Sequence, residues 1–153
     1  NRPGGRVQEL WNFALELYAK PGVEQACLEL QEAGSDVCLL LAGAWLERRG
    51  VRCLDERLHA LTAVANPWQR EVIAPLRRTR RDWRTAAKGD AELTTLREQI
   101  KKLELQAERV LLERLQVLAE SWPSEASGDG WLIRLANNDS AALQVLRGAV
   151  RLP

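Results

Sequence analysis

An all-α fold follows from three features of this 153-residue sequence. Apolar residues recur in steps of three and four along nearly the whole chain, and strand-like alternation is almost absent. Boundary residues of the kinds that cap and break helices fall between the periodic segments. The expected architecture is a compact core of four helices, a long antiparallel helical hairpin, and one or two C-terminal helices.

Over residues 8–20, Leu10, Trp11, Phe13, Ala14, Leu15, Leu17 and Tyr18 surround a narrow polar line of Glu9, Asn12, Glu16 and Lys20, which predicts a mostly buried first helix. Pro21 and Gly22 break it. Val23, Ala26, Cys27 and Leu30 mark one face of a second helix, which Gly34 ends as a left-handed cap. Ser35 or Asp36 caps the third helix. Its uncharged run, 37–46, has about half the length a membrane span needs, so it predicts a buried helix at the centre of the core. Arg48 and Arg49 lie where a helix C-terminus favours cations. A fourth helix, 55–65, buries Leu58, Leu61 and Val64 or Ala65.

Asn66, Pro67 and Gln69 read as the cap, first position and returning side chain of a capping-box variant. They start a fifth helix over 67–87, kinked near Pro75, whose missing N–H leaves the Glu71 carbonyl unpaired. Gly89 and Asp90 end it and begin a sixth. From 91 to 121 there is no Gly or Pro, and Leu93, Leu96, Ile100, Leu103, Ala107 and Val110 form a heptad seam. At about 1.5 Å per residue this helix is roughly 46 Å long. The expected radius of gyration is only about 15 Å, so it protrudes or spans the molecule. Arg114 falls where the seam shifts to Leu111, Leu115, Leu118 and Trp122. Residues 124–130 read as a mobile loop, 131–136 as a short helix or an extended piece, and 139–150 as a last helix behind an Asn/Asp cap. The chain reads as one domain: core 1–66, hairpin 67–121, loop and C-terminal helices 122–153.

Six Trp stand against one Phe, one Tyr and no Met, so the large side chains are mostly indoles. Lys plus Arg number 22 and Asp plus Glu 21, a balance that argues against a generally nucleic-acid-binding or membrane-coating protein. The charge is uneven, with 7 cations against 2 anions over 67–88 and a small acidic excess on both sides. Arg70, Arg77, Arg81, Arg84 and Lys88 fall within roughly 60° of one another on a helical wheel. Trp68, Val72, Leu76, Thr79, Trp83 and Ala86 form the apolar stripe beside them. Like charges three or four apart disfavour a helix by about 0.2–0.5 kcal/mol per pair, so acids inside the chain or on a partner are expected to offset them. Folding about Gly89 brings Glu104 and Glu108 within reach of Arg77 and Arg70, and Asp82 matches Arg78 four residues on. Leu105 and Leu112 lie opposite the seam. They are either exposed or a second interface, covered by the C-terminal helices or by a second copy of the chain.

Catalytic and metal-binding readings find little. His59 is the lone histidine, and no nucleophile elbow, Walker loop, dinucleotide fingerprint or Cys/His constellation is present. No catalytic residue, metal or cofactor is expected. Cys27, Cys38 and Cys53 read as reduced core thiols of a cytoplasmic protein. The chain opens at Asn1 without a recognisable leader, which leaves a trimmed one open.

Leu10-Trp11-Asn12-Phe13-Ala14, residues 18–24, Ala26-Cys27-Leu28, residues 34–41, Trp45-Leu46, Trp68, Glu71-Val72 and Pro75-Leu76-Arg77 together resemble an uncharacterised proteobacterial family of small all-helical proteins of unknown function. The resemblance covers about residues 10–85 and continues more loosely to about 120. That family's pattern has Asp where this chain has Asn12 and Asn where it has Cys38, which speaks against a polar role at either position. The resemblance implies a cytoplasmic bacterial protein and carries over no functional residue.

The leading expectation is a non-catalytic adaptor or regulatory protein that binds an acidic partner through the Arg face, with no membrane partner and with a homodimer open. An RNA- or ribosome-associated accessory role is one rival, and an enzyme or small-ligand binder with a Trp-lined pocket is the other.

Overall fold

The computed structural model describes residues 7–125, 128–136 and 139–152, and among these there are helices and no strands. The chain start at Asn1, residues 126–127 of the expected loop, and Asn137 and Asn138 of the expected cap lie outside the described residues. The elements are α1 (Glu9–Tyr18), α2 (Val23–Glu32), α3 (Val37–Arg48), α4 (Asp55–Trp68), a π-helical turn (Gln69–Ile73), α5 (Ala74–Asp82), α6 (Arg84–Ala87), α7 (Ala91–Ala119), α8 (Trp131–Leu135) and α9 (Ala141–Arg151).

Helix α3 is the centre of the core, as its composition predicts. Every residue from Cys38 to Leu46 is buried, and α1, α7, α8 and α9 all pack on it. Asp36 starts it by accepting a hydrogen bond from Leu39 N–H at 3.2 Å. Gly34, at φ 100°, ends α2 in the left-handed region. Gly43 lets α8 cross closely, since a Cβ there would sit 2.8 Å from Leu135. Helix α1 is less buried than expected. Leu10, Ala14 and Leu17 face the core, while Leu15 and Tyr18 are exposed.

The boundary expected at Asn66-Pro67 does not exist. Helix α4 runs through Pro67 to Trp68, and burial of Leu61 and Ala65 holds it where a local break would leave those side chains in water. The chain adjusts further on. In the π turn the Ala74 N–H reaches the Gln69 carbonyl, five residues back, just before Pro75. A second break, at Trp83, separates α5 from α6.

The hairpin therefore begins at Asp55, not at residue 67. Its arms are antiparallel, as four cross-links show: Trp68 Nε1 donates to Ala107 O at 2.9 Å, Arg77 Nε to Glu104 at 3.1 Å, Arg97 Nε to Arg80 O at 2.8 Å, and Thr94 Oγ1 to Ala87 O. Asp90 caps α7 by accepting from Leu93 N–H. At 29 residues, α7 is about 43 Å long.

The C-terminal helices belong to the core. Trp131, Leu132, Leu143 and Leu146 are fully or almost fully buried. Trp131 donates to Val51 O at 2.7 Å and stacks on Trp122. Residues 131–135 are helical rather than extended, and the α9 cap is Ser140, not an Asn or Asp. Lys20 and Arg48 donate to the carbonyls of Ala149, Val150 and Leu152, neutralising the negative end of α9. The segment after α7 is pinned at Gly50: Glu125 N–H donates to Gly50 O at 2.6 Å, and Gly128 lies so close that a Cβ would meet the Gly50 backbone at 2.8 Å.

Candidate functional site

The π turn and the break at Trp83 each change the helical phase, so cations that share a face of an ideal helix part company here. Arg77 turns inward. Its Nε donates to Glu104 at 3.1 Å and its Nη2 to Glu108 at 3.2 Å, with the side chain 14% exposed. Arg80, outside the sequence-derived stripe, holds Glu104 as well, through Nε at 2.5 Å and Nη2 at 3.2 Å. The turn at Gly89 signals that Glu104 faces this stretch, but only the phase shift tells Arg80 from Arg81.

Burial pushes the Glu104 carboxyl up, yet the bonds and charges of Arg80 and Arg77 outweigh it and hold the group below its ordinary value. Glu108 stays raised, by burial and by the Glu104 charge, despite Arg77. The Arg80 guanidinium is raised through its hydrogen bond to Glu104.

The other stripe residues lie outside. Arg70 pairs only with its exposed neighbour Glu71, at 3.2 Å. The expected Arg78–Asp82 pair is absent, and among the described residues Arg78, Arg81, Arg84 and Lys88 are exposed without an ion pair. Trp83, which is half-buried, lies between Arg81 and Arg84 in the sequence. Trp11, Trp45, Trp68 and Trp122 each have an arginine over the ring, at 4.2–5.5 Å from its centroid, and Trp131 is buried and stacked. Trp83 has no such cover and no place in the core cluster. On the paired arm Leu96 and Leu103, members of the predicted seam, are half exposed.

Leu105 and Leu112 separate. Leu112 is 2% exposed and Leu105 is 53% exposed. Helices α1 and α3, rather than the C-terminal helices, cover this side of α7. Both leucines line a cleft of about 140 Å³, together with Trp11, Leu15, Asp36 and Cys38. Arg77 and Glu108 reach the same cleft, so it joins the core to the hairpin. Asp36 Oδ2 is buried there with no hydrogen-bond donor among the described residues. Burial raises the Asp36 carboxyl, against the backbone N–H groups of Leu39 and Cys38 and the Arg77 charge. Burial raises the Cys38 thiol strongly as well, which keeps it protonated and poorly nucleophilic. The cleft contains one tryptophan, Trp11, and was not legible in the sequence, because its walls come from α1, α2, α3, the π turn, α5 and α7.

His59 is exposed on α4, away from the cleft. Cys27 and Cys38 are buried and Cys53 is half-buried; all three are free thiols. Among the described residues no three His, Cys, Asp or Glu side chains gather as a metal site requires. No helix among them is long and apolar enough to cross a membrane.

The model of the family described as "Protein of unknown function (DUF2390)" matches residues 9–115. The chain belongs to this family. The match covers α1 to most of α7, and so includes the cleft walls and the Arg77–Glu104–Arg80 cluster as well as the exposed basic ridge. No curated protein and no solved structure matches the chain.

Proposed function

We propose that this DUF2390 protein is a non-catalytic bacterial adaptor or regulator of the cytoplasm whose hairpin end docks an acidic segment of a partner protein. Trp83 carries the reading. It is the one tryptophan with neither a covering cation nor a core contact among the described residues, and the unpaired Arg81, Arg84 and Lys88 surround it in sequence. An indole beside guanidinium groups supplies apolar area at small entropic cost, together with planar donors for carboxylates. Arg77 drops out of the docking surface because Glu104 and Glu108 already occupy it. Arg78, Arg81, Arg84 and Lys88 remain, opposed locally by Asp82.

The test compares proteins captured from nuclease-treated bacterial lysate by the wild-type chain, by R81E/R84E/K88E, and by W83A. A partner retained after nuclease and lost from both variants is the expected result. Capture that depends on nucleic acid would transfer the same ridge to the RNA reading, and identical capture by all three proteins would remove the ridge from function. Arg77 must stay unchanged in this test, since reversing it would unbalance a buried ion cluster and confuse folding with binding.

A further inference from the structure

The cleft between α1, α3, α5 and α7 is independent of the exposed ridge and has the makings of a ligand site. Its volume, about 140 Å³, is close to that of cavities that accept a single aromatic ring. Trp11, Leu15, Leu41, Leu105 and Leu112 give it apolar walls, and the exposed side chains of Leu15, Tyr18 and Leu105 stand at its open rim. Charge selects among ligands that fit this space. Of the charged side chains that line it, Asp36 and Glu108 outnumber Arg77, and Arg77 already spends Nε on Glu104 and Nη2 on Glu108. An anion would have to compete with Glu104 and Glu108 for Arg77 and would face Asp36 and Glu108, whereas Asp36 Oδ2 is buried and lacks a donor among the described residues.

We propose that this cleft binds a small free amine carrying one ring-sized apolar group, with the ammonium against Asp36 Oδ2 and the apolar group between Trp11, Leu105 and Leu112. An ammonium supplies the donor that Oδ2 lacks and offsets the surplus negative charge. The apolar group takes the apolar walls of the cleft out of water.

Calorimetric titration with 2-phenylethylamine tests this, alongside 2-phenylethanol and 3-phenylpropionate, which keep the ring and replace the ammonium by a neutral or anionic group. The amine is expected to bind at one site, with each analogue at least about tenfold weaker. D36N should weaken the amine by about tenfold or more while retaining the fold, because Asn caps helices as well as Asp does. L105W, at an exposed rim position, should weaken it by narrowing the mouth. Equal binding of amine and alcohol, full affinity in D36N, or no binding of any probe would overturn the proposal. Binding of N-acetyl-lysine methylamide in place of the free amine would overturn it too, in favour of a partner's lysine side chain. R81E/R84E/K88E should bind the amine like wild type, so failure here and failure at the hairpin end are read separately.

Discussion

The two halves of α7 are held in different ways. Toward its C-terminus Leu111, Leu112, Leu115 and Ala119 are all but inaccessible to solvent, pressed against the core. Toward its N-terminus Leu96 and Leu103 are half exposed, and the arms are tied by Arg77, Arg80 and Glu104, by Arg97 to a carbonyl, and by Thr94 to another. Apolar burial holds the base and directional polar bonds hold the end. Burial tolerates little change of volume but is insensitive to salt. The polar ties leave side chains outside for other work, and they predict that the end opens before the base.

The largest expected effect is at the base. Leu115→Ala should cost about 2–5 kcal/mol in urea unfolding, because the site is closed on all sides and cannot collapse easily. Glu104→Gln should cost less globally, about 2–3 kcal/mol, since it leaves the poorly exposed Arg80 without a carboxylate and Arg77 with Glu108 alone. Hydrogen exchange should then quicken across α5 and residues 91–104 before the base of α7. Uniform quickening along α7 would mean that the two halves are one cooperative unit.

Acidification separates the two kinds of carboxylate. Glu104, depressed in the folded state, contributes stability that is complete above its unfolded value of about 4.3 and is lost as pH falls through its lower folded value. Asp36 and Glu108, raised by burial, cost stability at neutral pH, and that cost is relieved as pH falls through their raised values. Urea midpoints should therefore rise as pH falls from neutral toward the ordinary carboxylate range, about 4, and decline below it. A steady decline from pH 7 would show that the buried Asp36 and Glu108 charges cost nothing. The smallest effect is expected at the ridge: R81E, R84E and K88E should each change stability by no more than about 0.5 kcal/mol, so any loss of capture by the triple variant is a binding effect.

Elements whose cause is local were legible in the sequence. The buried run of α3, the Gly34 and Asp90 signals and the length of α7 all depend on neighbours in the chain. Asn66-Pro67 misled for the opposite reason. Its local chemistry favours a new helix start, but the cost of one unpaired carbonyl is outweighed by keeping Leu61, Ala65 and Trp68 on α7. The π turn has no strong local signature, so the wheel placed Arg77 outside and overlooked Arg80. Leu112 could be seen as apolar and off the seam, but not as lying under α1 and α3, because nothing in its own helix records what packs over it. The cleft was hidden in the same way.

The π turn at Gln69–Ile73 carries a consequence for how such an arm tolerates change. One surplus residue in the winding turns everything beyond it by about 100° relative to what comes before. Deleting a single residue there would restore regular winding and swing Arg77 and Arg80 away from Glu104, while α4 stayed seated on its neighbours. The arm thus behaves as two shafts joined by a swivel, whose setting decides which guanidinium groups are kept for the protein and which are shown to the outside.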